Sequence, residues 1–149
     1  MNPPRIVCRF SCGAASAVAT KLMLEEFPAE QVHIINAFVK EEHPDNRRFL
    51  RDCEIWFKHS IIILRDLKYG ASTYEVWKKK RYMKGLKGAP CSAALKADLL
   101  DAFRLPGDVN VLGYTKGEEG RLERFFDRKA DHLPRYMHTS IPFLIPPVM

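Results

Sequence analysis

Long apolar runs, repeats and linkers are missing from this sequence. No stretch approaches the ~20 consecutive apolar residues of a membrane-spanning helix. The N-terminus, M-N-P-P-R-I-V-C, lacks the apolar core of a secretion signal. No internal repeat divides the 149 residues, and no composition shift marks a domain boundary. We therefore expect one cytoplasmic domain, residues 1–149, with no membrane partner.

Cysteine and histidine are too scattered for the common metal sites. The four cysteines form neither a C-x-x-C pair nor a zinc pattern, and we expect free thiols in a reducing compartment: Cys8, Cys12, Cys53 and Cys91. The five histidines have neither metal-site nor catalytic-triad spacing, and the nucleophile elbow of a serine hydrolase is missing. We expect neither zinc nor an iron–sulfur cluster, and we set a serine hydrolase aside.

What the sequence does have is positive charge and enough apolar residues for a core. The net charge of +6 and the pI near 9.2 favour an anionic partner, which could be a nucleotide, a nucleic acid or a sulfated small molecule. The apolar content of 46%, with 11% aromatic residues, is sufficient to bury a sizeable core. The charge alone does not choose among these partners.

Strand and helix patterns alternate along the chain. Buried strands are predicted at Ile6-Val7-Cys8 with Phe10, at residues 33–38, at residues 61–64 and at residues 109–114, and I-I-I-L at 61–64 is the strongest such signal. Helical connections favour a parallel sheet, because they cross over instead of turning back. The prolines of residues 140–149 exclude a central strand and leave an edge strand or an extended arm. We therefore predict an α/β fold with a parallel sheet of five strands, or four plus an edge strand, flanked by helices and Rossmann-like.

Five helices are predicted from apolar spacing and cap residues. The first opens at Ser16 and the second is capped by Asp45, while a third covers residues 73–79. The predicted apolar faces consist of Ala15, Val18, Ala19, Leu22 and Met23 in the first helix, Phe49, Cys53, Trp56 and Phe57 in the second, Leu95, Leu99, Ala102 and Phe103 in the fourth, and Leu122, Phe125 and Phe126 in the last. Gly85 and Gly88 indicate an exposed connection that could cover a site.

The connection after the first strand is built from small residues. Ser11, Cys12, Gly13, Ala14 and Ala15 lead into the first helix. Its first amides have no intrahelical partner and the helix dipole favours negative charge, so the segment predicts an anion site with the hydroxyls of Ser11 and Ser16 as further donors. The alternative is an ordinary turn in which Ser16 only caps the helix.

Cys12 is the only residue of this connection with a thiol, which could react covalently. A helix N-terminus lowers the pKa of a thiol, which would make Cys12 a nucleophile or a redox-sensitive group. The alternative is a small residue that simply fits the turn.

Three further connections are expected beside this loop, since the carboxyl ends of parallel strands share one edge. Residues 39–45 include Glu41, Glu42, His43 and Asp45, a set that suits Mg²⁺ or, alternatively, a solvated loop with Asp45 as a helix cap. Residues 66–69 form the next connection. Residues 113–121 include Glu119 and Arg121, and Arg121 could bind phosphate or only pair with glutamates on a helix surface.

A basic segment runs from Lys78 to Lys87. Six of its ten residues are Lys or Arg, with Tyr82 among them and Trp77 before them. Basic residues with interleaved aromatic rings can bind a nucleic-acid backbone and its bases. The alternatives are a solvated basic run and a surface that gathers nucleotide phosphates.

These segments together resemble the PP-loop superfamily of adenine-nucleotide-binding proteins, in particular small phosphoadenosine phosphosulfate (PAPS) reductase-like proteins. The segment S-C-G-A-A-S at 11–16 looks like the family loop S-G-G-x-x-S, and residues 36–45 are similar to the segment after the second strand. Residues 91–96, C-S-A-A-L-K, look like C-T-x-x-L-K, and G-Y-T at 113–115 with Glu119 and Arg121 resembles G-[YF]-x-x-x-E-x-x-R. The resemblance covers nearly the whole chain in order.

The resemblance implies an adenine nucleotide α-hydrolase-like fold. Nucleotide phosphates would lie on the first loop, and adenine would pack between the ends of the first two strands, which adds Asn36, Phe38 and Gly113 to the binding residues. The superfamily's activities include adenylation through cleavage of ATP between its α and β phosphates, and sulfonucleotide reduction. The catalytic candidates are Glu42, Asp45, Glu119 and Arg121, with Mg²⁺ held through Glu42 and Asp45.

The sequence also departs from the family pattern. Cys12 replaces a loop glycine, and Ala14 and Ala15 stand where many ATP-using members carry lysine and aspartate. The E-C-G-x-H element of the reductases is missing, and Cys91 is not its equivalent, so we do not expect a true PAPS reductase. The expected function is a PP-loop enzyme acting at the α-phosphate of ATP or on a sulfated adenylate. The alternatives are a non-catalytic adenine-nucleotide sensor and a nucleic-acid-associated protein, and a homodimer stays open.

Overall fold

A parallel sheet organises the protein. The computed structural model describes residues 3–83, 90–113 and 136–139. Its first four strands are β1 (Ile6–Arg9), β2 (Val32–Ala37), β3 (Ile61–Leu64) and β4 (Val109–Gly113), and a short β5 (Tyr136–Thr139) pairs with β4. The order is β3-β2-β1-β4-β5 with parallel pairings, a Rossmann-like arrangement. The predicted α/β class with a parallel sheet flanked by helices is confirmed, whereas the tail at 140–149 lies outside the described residues.

Helices connect the strands as crossovers. They are α1 (Ala14–Glu26), α2 (Asp45–Phe57) and α3 (Thr73–Lys80), and a 3₁₀ turn covers Ala29–Gln31. The predicted fourth helix consists of three consecutive pieces: α4 (Pro90–Ser92), a π-helical segment (Ala93–Ala97) and α5 (Asp98–Ala102). The predicted last helix and the glycines of the predicted covering connection lie outside the described residues. No helix in the described part is long and apolar enough to cross a membrane.

The core lies around the central strands. Both faces of β1 and β2 are buried, because helices cover the two sides of the sheet. Phe10, directly after β1, stacks on Phe49 at 6.1 Å between ring centroids and meets the edge of Phe57 at 5.8 Å. These contacts fix α2 against the carboxyl end of β1, which is the edge where the predicted site lies.

Residues 61–64 form a strand as predicted, but the prediction that it is buried is wrong. Ile61 is buried, but Ile62 and Ile63 are 38% and 44% exposed. The reason is topological: β3 is an edge strand, and nothing in the described residues covers its outer side. An apolar run in the sequence predicts a strand but does not give its place in the sheet.

The homodimer left open in the sequence analysis stays a prediction.

Two predicted helix faces also need correction. In α2, Trp56 is 48% exposed, and Leu50 takes its place beside Cys53 and Phe57 in the core. In α1 the most buried positions include Ser16 and Thr20, because the helix packs its small residues closely against the sheet. Ala102 is exposed as well, whereas Leu95 is buried as predicted.

Candidate functional site

The connection between β1 and α1 is a tight turn. Cys12 has φ of 61°, a left-handed conformation that favours glycine. Gly13 is the N-cap of α1 in an extended conformation, and the helix begins at Ala14. The prediction that Ser16 opens or caps the helix is therefore wrong, since it lies in the first turn.

The two serines of this turn converge. Ser16 Oγ accepts hydrogen bonds from the amide and the hydroxyl of Ser11, both at 3.1 Å, and lies 3.0 Å from the Gly13 carbonyl oxygen, to which it can donate. Ser16 is buried and Ser11 is exposed, so the pair extends from the turn's interior to its surface. The hydroxyl pair holds the turn in its shape and leaves the Ser11 side open to a ligand.

The first amides of α1 are open donors. Within the described part of the chain, no acceptor is found for the amides of Ala14, Ala15 and Ser16, and the first bond of the helix runs from the Ala17 amide to the Gly13 carbonyl at 3.0 Å. Ala14 is exposed. Unpaired amides together with the helix dipole make this end of α1 favourable for an anion.

Gly113 brings the end of β4 against the same turn. A Cβ at this position would lie 2.6 Å from both the Ala15 carbonyl carbon and the Ser16 nitrogen, closer than real Cβ contacts allow. Gly13, by contrast, has room for one, with Ser11 Oγ at 3.7 Å. The sheet order reverses between β1 and β4, which is where parallel open sheets bind ligands. Gly113 is thus needed for close packing at this position.

Asn36, at the carboxyl end of β2, joins the turn to an arginine. Its buried amide nitrogen donates to the Phe10 carbonyl oxygen at 2.8 Å and lies 3.6 Å from Cys12 Sγ. Its oxygen accepts from Arg47 Nη2 at 3.0 Å. Both ends of the amide are therefore engaged with protein groups, and the adenine contact predicted for Asn36 stays a prediction.

The pKa of Cys12 is shifted in the direction opposite to the prediction. Burial raises its pKa above the ordinary value, and the nearby charge of Glu42 adds to this, while Arg47, Lys96 and the Asn36 hydrogen bond offset part of the rise. A thiol that stays protonated at neutral pH is a poor nucleophile. A pKa raised by burial thus argues against Cys12 as a nucleophile.

Phe38, directly after β2, contacts two arginines. The guanidinium carbons of Arg47 and Arg65 lie 4.9 and 4.2 Å from its ring centroid. Neither arginine was predicted from the sequence to be a site residue. The available signal was position, because Arg65 directly follows β3 and Arg47 lies in the first turn of α2. The contact of Phe38 with adenine stays a prediction.

The acidic connection after β2 is engaged with other parts of the protein. Glu41 accepts hydrogen bonds from the Ser72 hydroxyl and from the amides of Thr73 and Tyr74, at 2.8 and 3.4 Å for the amides. Burial raises the pKa of Glu41, but these hydrogen bonds outweigh it and lower the pKa to about 2. Glu41 therefore binds the N-terminal end of α3.

The two carboxylates predicted for Mg²⁺ also have partners. Glu42 Oε1 lies 2.5 Å from Lys96 Nζ, and Asp45 forms a two-point ion pair with Arg48 at 2.5 and 3.0 Å. Asp45 is the first residue of α2 and Pro44 is the N-cap, so the predicted cap is wrong. No group of three or more His, Cys, Asp or Glu suited to a metal occurs in the described residues. The Mg²⁺ site through Glu42 and Asp45 stays a prediction.

A cavity of about 300 Å³ lies beside the acidic connection. Its walls include Val39, Thr73, Trp77, Cys91 and the ion pair of Glu42 and Lys96. The indole N–H of Trp77 is buried and has no acceptor among the described residues. Because Glu42 and Lys96 also act on the pKa of Cys12, this cavity and the turn after β1 are neighbours.

The predicted residues after β4 and the predicted basic segment fall wholly or partly outside the described residues. Glu119 and Arg121 lie outside the described residues, as does the end of the basic segment. Lys78, Lys79 and Lys80 form the exposed last turn of α3, with Tyr82 48% exposed beyond it. The turn after β1, Asn36 and Gly113 thus share one edge of the sheet, as predicted, and Arg47 joins them.

A scan against protein-family models and a search of curated proteins gave no match to this chain.

Proposed function

We propose that the turn after β1 binds the phosphates of an adenine nucleotide and that the chain is a PP-loop protein with an adenine nucleotide α-hydrolase-like fold. The observation that carries this is the start of α1, where the amides of Ala14, Ala15 and Ser16 have no acceptor among the described residues and Ala14 is exposed, next to the converging hydroxyls of Ser11 and Ser16. Donors of this kind suit phosphate oxygens, and the place where the strand order reverses is the usual ligand position.

The proposed reaction is at the α-phosphate of ATP or on a sulfated adenylate. The amides of the turn would hold phosphate oxygens, and Arg47 would add positive charge beside them, since it reaches the turn through Asn36. Fixed donors and cations stabilise the charge that develops on a transferring phosphoryl group. Mg²⁺ would supply further charge neutralisation, but it could be held through Glu42 and Asp45 only if their ion pairs with Lys96 and Arg48 were broken, so no step of the proposal depends on it.

Nucleotide binding is tested by thermal unfolding with AMP, ADP and ATP. A nucleotide at ~100 times its dissociation constant adds about 2.7 kcal/mol and should raise the Tm by about 5–10 °C. Replacing Ser16 with alanine should weaken binding about tenfold, because the turn loses the hydroxyl that holds Ser11 in place, while the sheet and helices are kept. Ser60→Ala, at an exposed serine, is the matched control. No Tm shift with any nucleotide would overturn the proposal.

Turnover is tested with α-labelled ATP and Mg²⁺. Release of AMP supports the enzyme, while saturable binding without AMP, also in the presence of candidate acceptors, supports the nucleotide sensor instead. The departures at Cys12, Ala14 and Ala15 make the sensor the alternative within the same binding proposal.

A second candidate function is nucleic-acid binding by the end of α3. The observation that favours it is the exposure of Lys78, Lys79 and Lys80, with Tyr74 60% and Tyr82 48% exposed nearby. Neutralising the three lysines should lower both the affinity for single-stranded nucleic acid and its salt dependence. If neither changes, this candidate is rejected.

A further inference from the structure

Two arginines share one aromatic ring at the edge of the sheet. Arg47 and Arg65 lie over the Phe38 ring, with guanidinium carbons 4.9 and 4.2 Å from its centroid. The two carbons are therefore no farther apart than the sum of these distances, 9.1 Å. This upper bound is about one Debye length at physiological salt, so the repulsion between the two positive charges is only partly screened.

No carboxylate in the described part of the chain neutralises this pair. Three other arginines do have close acidic partners: Arg5 with Asp108 at 2.6 Å, Arg9 with Asp101 at 2.8 Å and Arg48 with Asp45 at 2.5 Å. Neither Arg47 nor Arg65 has one among the described residues, and the side chain of Arg65 has only its contact with the ring there.

One nitrogen of Arg47 is an unused donor. Nη2 is held by Asn36 at 3.0 Å, whereas Nη1 is buried and has no hydrogen-bond partner in the described residues. A buried donor without a partner is costly, and a charged one more so. An anion against the guanidinium group would relieve the repulsion between the two arginines, and a turn of the Arg47 side chain toward it would give Nη1 an acceptor.

The pair lies next to the turn after β1. Phe38 follows β2 and Arg65 follows β3, and neighbouring strands are about 4.8 Å apart, so one small ligand can contact both positions. Asn36 links Arg47 directly to Phe10 and Cys12. Arg47 is therefore linked to the turn through Asn36, whereas Arg65 follows β3, two strands or roughly 10 Å from β1, so the pair can bind a different part of a ligand held at the turn.

We propose that Arg47 and Arg65 form a second anion subsite, which binds a phosphate or sulfate group other than the one held by the turn after β1. This rests on the proposed nucleotide function and deepens it, because it assigns residues to the second anionic group and predicts that ligands with two such groups depend on Arg65 while AMP does not. Arginine suits this chemistry, since its planar donors match phosphate and sulfate oxygens. The second group comes either from a polyphosphate chain or from a phosphate on the ribose.

The test is calorimetric titration of the full chain with five probes: AMP, ADP, ATP, adenosine 3′,5′-bisphosphate and inorganic pyrophosphate. Arg65→Gln is the main variant because Arg65 is exposed and its loss should leave the fold intact. Arg51→Gln, at an exposed arginine of α2, is the matched control for the lost charge. Arg47→Lys keeps the charge but removes the planar donors.

The subsite predicts a selective loss. Arg65→Gln should weaken binding of pyrophosphate and of at least one doubly phosphorylated nucleotide about tenfold, as expected for a lost charge-assisted hydrogen bond. AMP affinity should change less than about twofold, and Arg51→Gln should change none of the affinities. A loss with ADP and ATP identifies a polyphosphate, and a loss with the bisphosphate identifies a ribose phosphate.

The outcomes separate this proposal from the proposed function. If AMP and ATP bind but Arg65→Gln behaves like Arg51→Gln with every probe, the subsite is rejected and the nucleotide function stands. If pyrophosphate binds in an Arg65-dependent way and no adenine nucleotide binds better than pyrophosphate, the subsite stands and the adenine function is rejected. If no probe binds, both are rejected.

Discussion

The connections after β1 and β2 begin at the same edge of the sheet, but their polar groups differ in whether they have hydrogen-bond or ion-pair partners. After β1, at residues 11–16, the first amides of α1 have no acceptor within the described residues. After β2, at residues 39–45, each of the three carboxylates has a donor: Glu41 at the start of α3, Glu42 at Lys96 and Asp45 at Arg48. One connection presents open donors, and the other presents acceptors that are already satisfied.

This difference indicates which kind of ligand each connection favours. An anion arriving at the edge meets unpaired amides and the charge of Arg47. A cation meets carboxylates whose charge is already compensated, and binding it requires that these ion pairs be broken. A count of acidic residues in the sequence favours a cation at residues 39–45, whereas the partners of those residues favour a structural role. We therefore expect changes at the turn after β1 to affect ligand binding, and changes at residues 39–45 to affect stability.

The largest effect is expected from Gly113→Ala, which breaks the placement of the turn after β1. The new Cβ would lie 2.6 Å from backbone atoms of Ala15 and Ser16, and backbone cannot move away as a side-chain end can. We expect a loss of about 2–3 kcal/mol in the free energy of unfolding, within the range for overpacking. Urea unfolding monitored by circular dichroism measures it.

Gly70→Ala is the matched control for this change. Gly70 has φ of 60° and nothing within 4 Å of its ideal Cβ, so alanine there costs only backbone strain, about 1 kcal/mol. The close approach of β4 to α1 also predicts that Gly113→Ala weakens nucleotide binding while Gly70→Ala does not. Equal losses of stability in the two variants would contradict a tight contact at Gly113.

A smaller effect is expected at Glu41, which tests the structural role of the acidic connection. Its pKa in the folded protein is about 2, below the ~4.3 of an unfolded chain. Its stabilisation is therefore complete above pH ~4.3 and is lost as the pH falls from there toward 2. Glu41→Gln should cost about 1 kcal/mol or less at pH 7, as for a weakened helix cap, and only a small part of that at pH 2, where the stabilisation is nearly lost.

The matched control is Glu25→Gln, at an exposed residue of α1. The difference in unfolding free energy between wild type and Glu41→Gln, followed from pH 7 to pH 2, should shrink while that of Glu25→Gln stays near zero. A Glu41→Gln difference that persists at pH 2 would mean that the carboxylate charge is not what stabilises α3.

Much of the fold could be predicted from the sequence because it depends on local patterns. Apolar runs, small-residue turns and helix spacing placed β1 to β4 and α1 to α3 within a few residues of their positions. What the pattern could not give is the position of a strand in the sheet. Ile62 and Ile63 look like core residues in the sequence and are exposed because β3 is at the edge.

The candidate site was predictable in part for a related reason. Ser11 and Ser16 follow β1, while Asn36 and Gly113, which the family resemblance added, lie at the carboxyl ends of β2 and β4, and parallel topology brings these strand ends together. The ion-pair and hydrogen-bond partners of the site residues were not predictable, because Glu42 contacts Lys96, and Asn36 contacts Arg47, only in the folded chain. The same limit explains why Arg47 and Arg65 were missed.

The smallest effect concerns the thiol of Cys12, and it tests the electrostatics of the turn after β1. Burial raises its pKa, so the pH dependence of its alkylation by iodoacetamide should have a midpoint above the ~8.5 of free cysteine. Mass-spectrometric peptide mapping follows Cys12 separately from Cys8, whose pKa of about 12 leaves it unmodified. The folded stability near neutral pH should not change, since the thiol is uncharged there.

Removing a nearby charge shows which force sets this pKa. Arg47 lowers the pKa of Cys12, so Arg47→Gln should move the midpoint to still higher pH, whereas Arg51→Gln should leave it in place. Saturating pyrophosphate should act in the same direction as Arg47→Gln, because an anion at the turn disfavours the thiolate. A midpoint below 8.5 in the wild type would mean that the dipole of α1 outweighs burial, and the turn would then favour a thiolate as well as a phosphate.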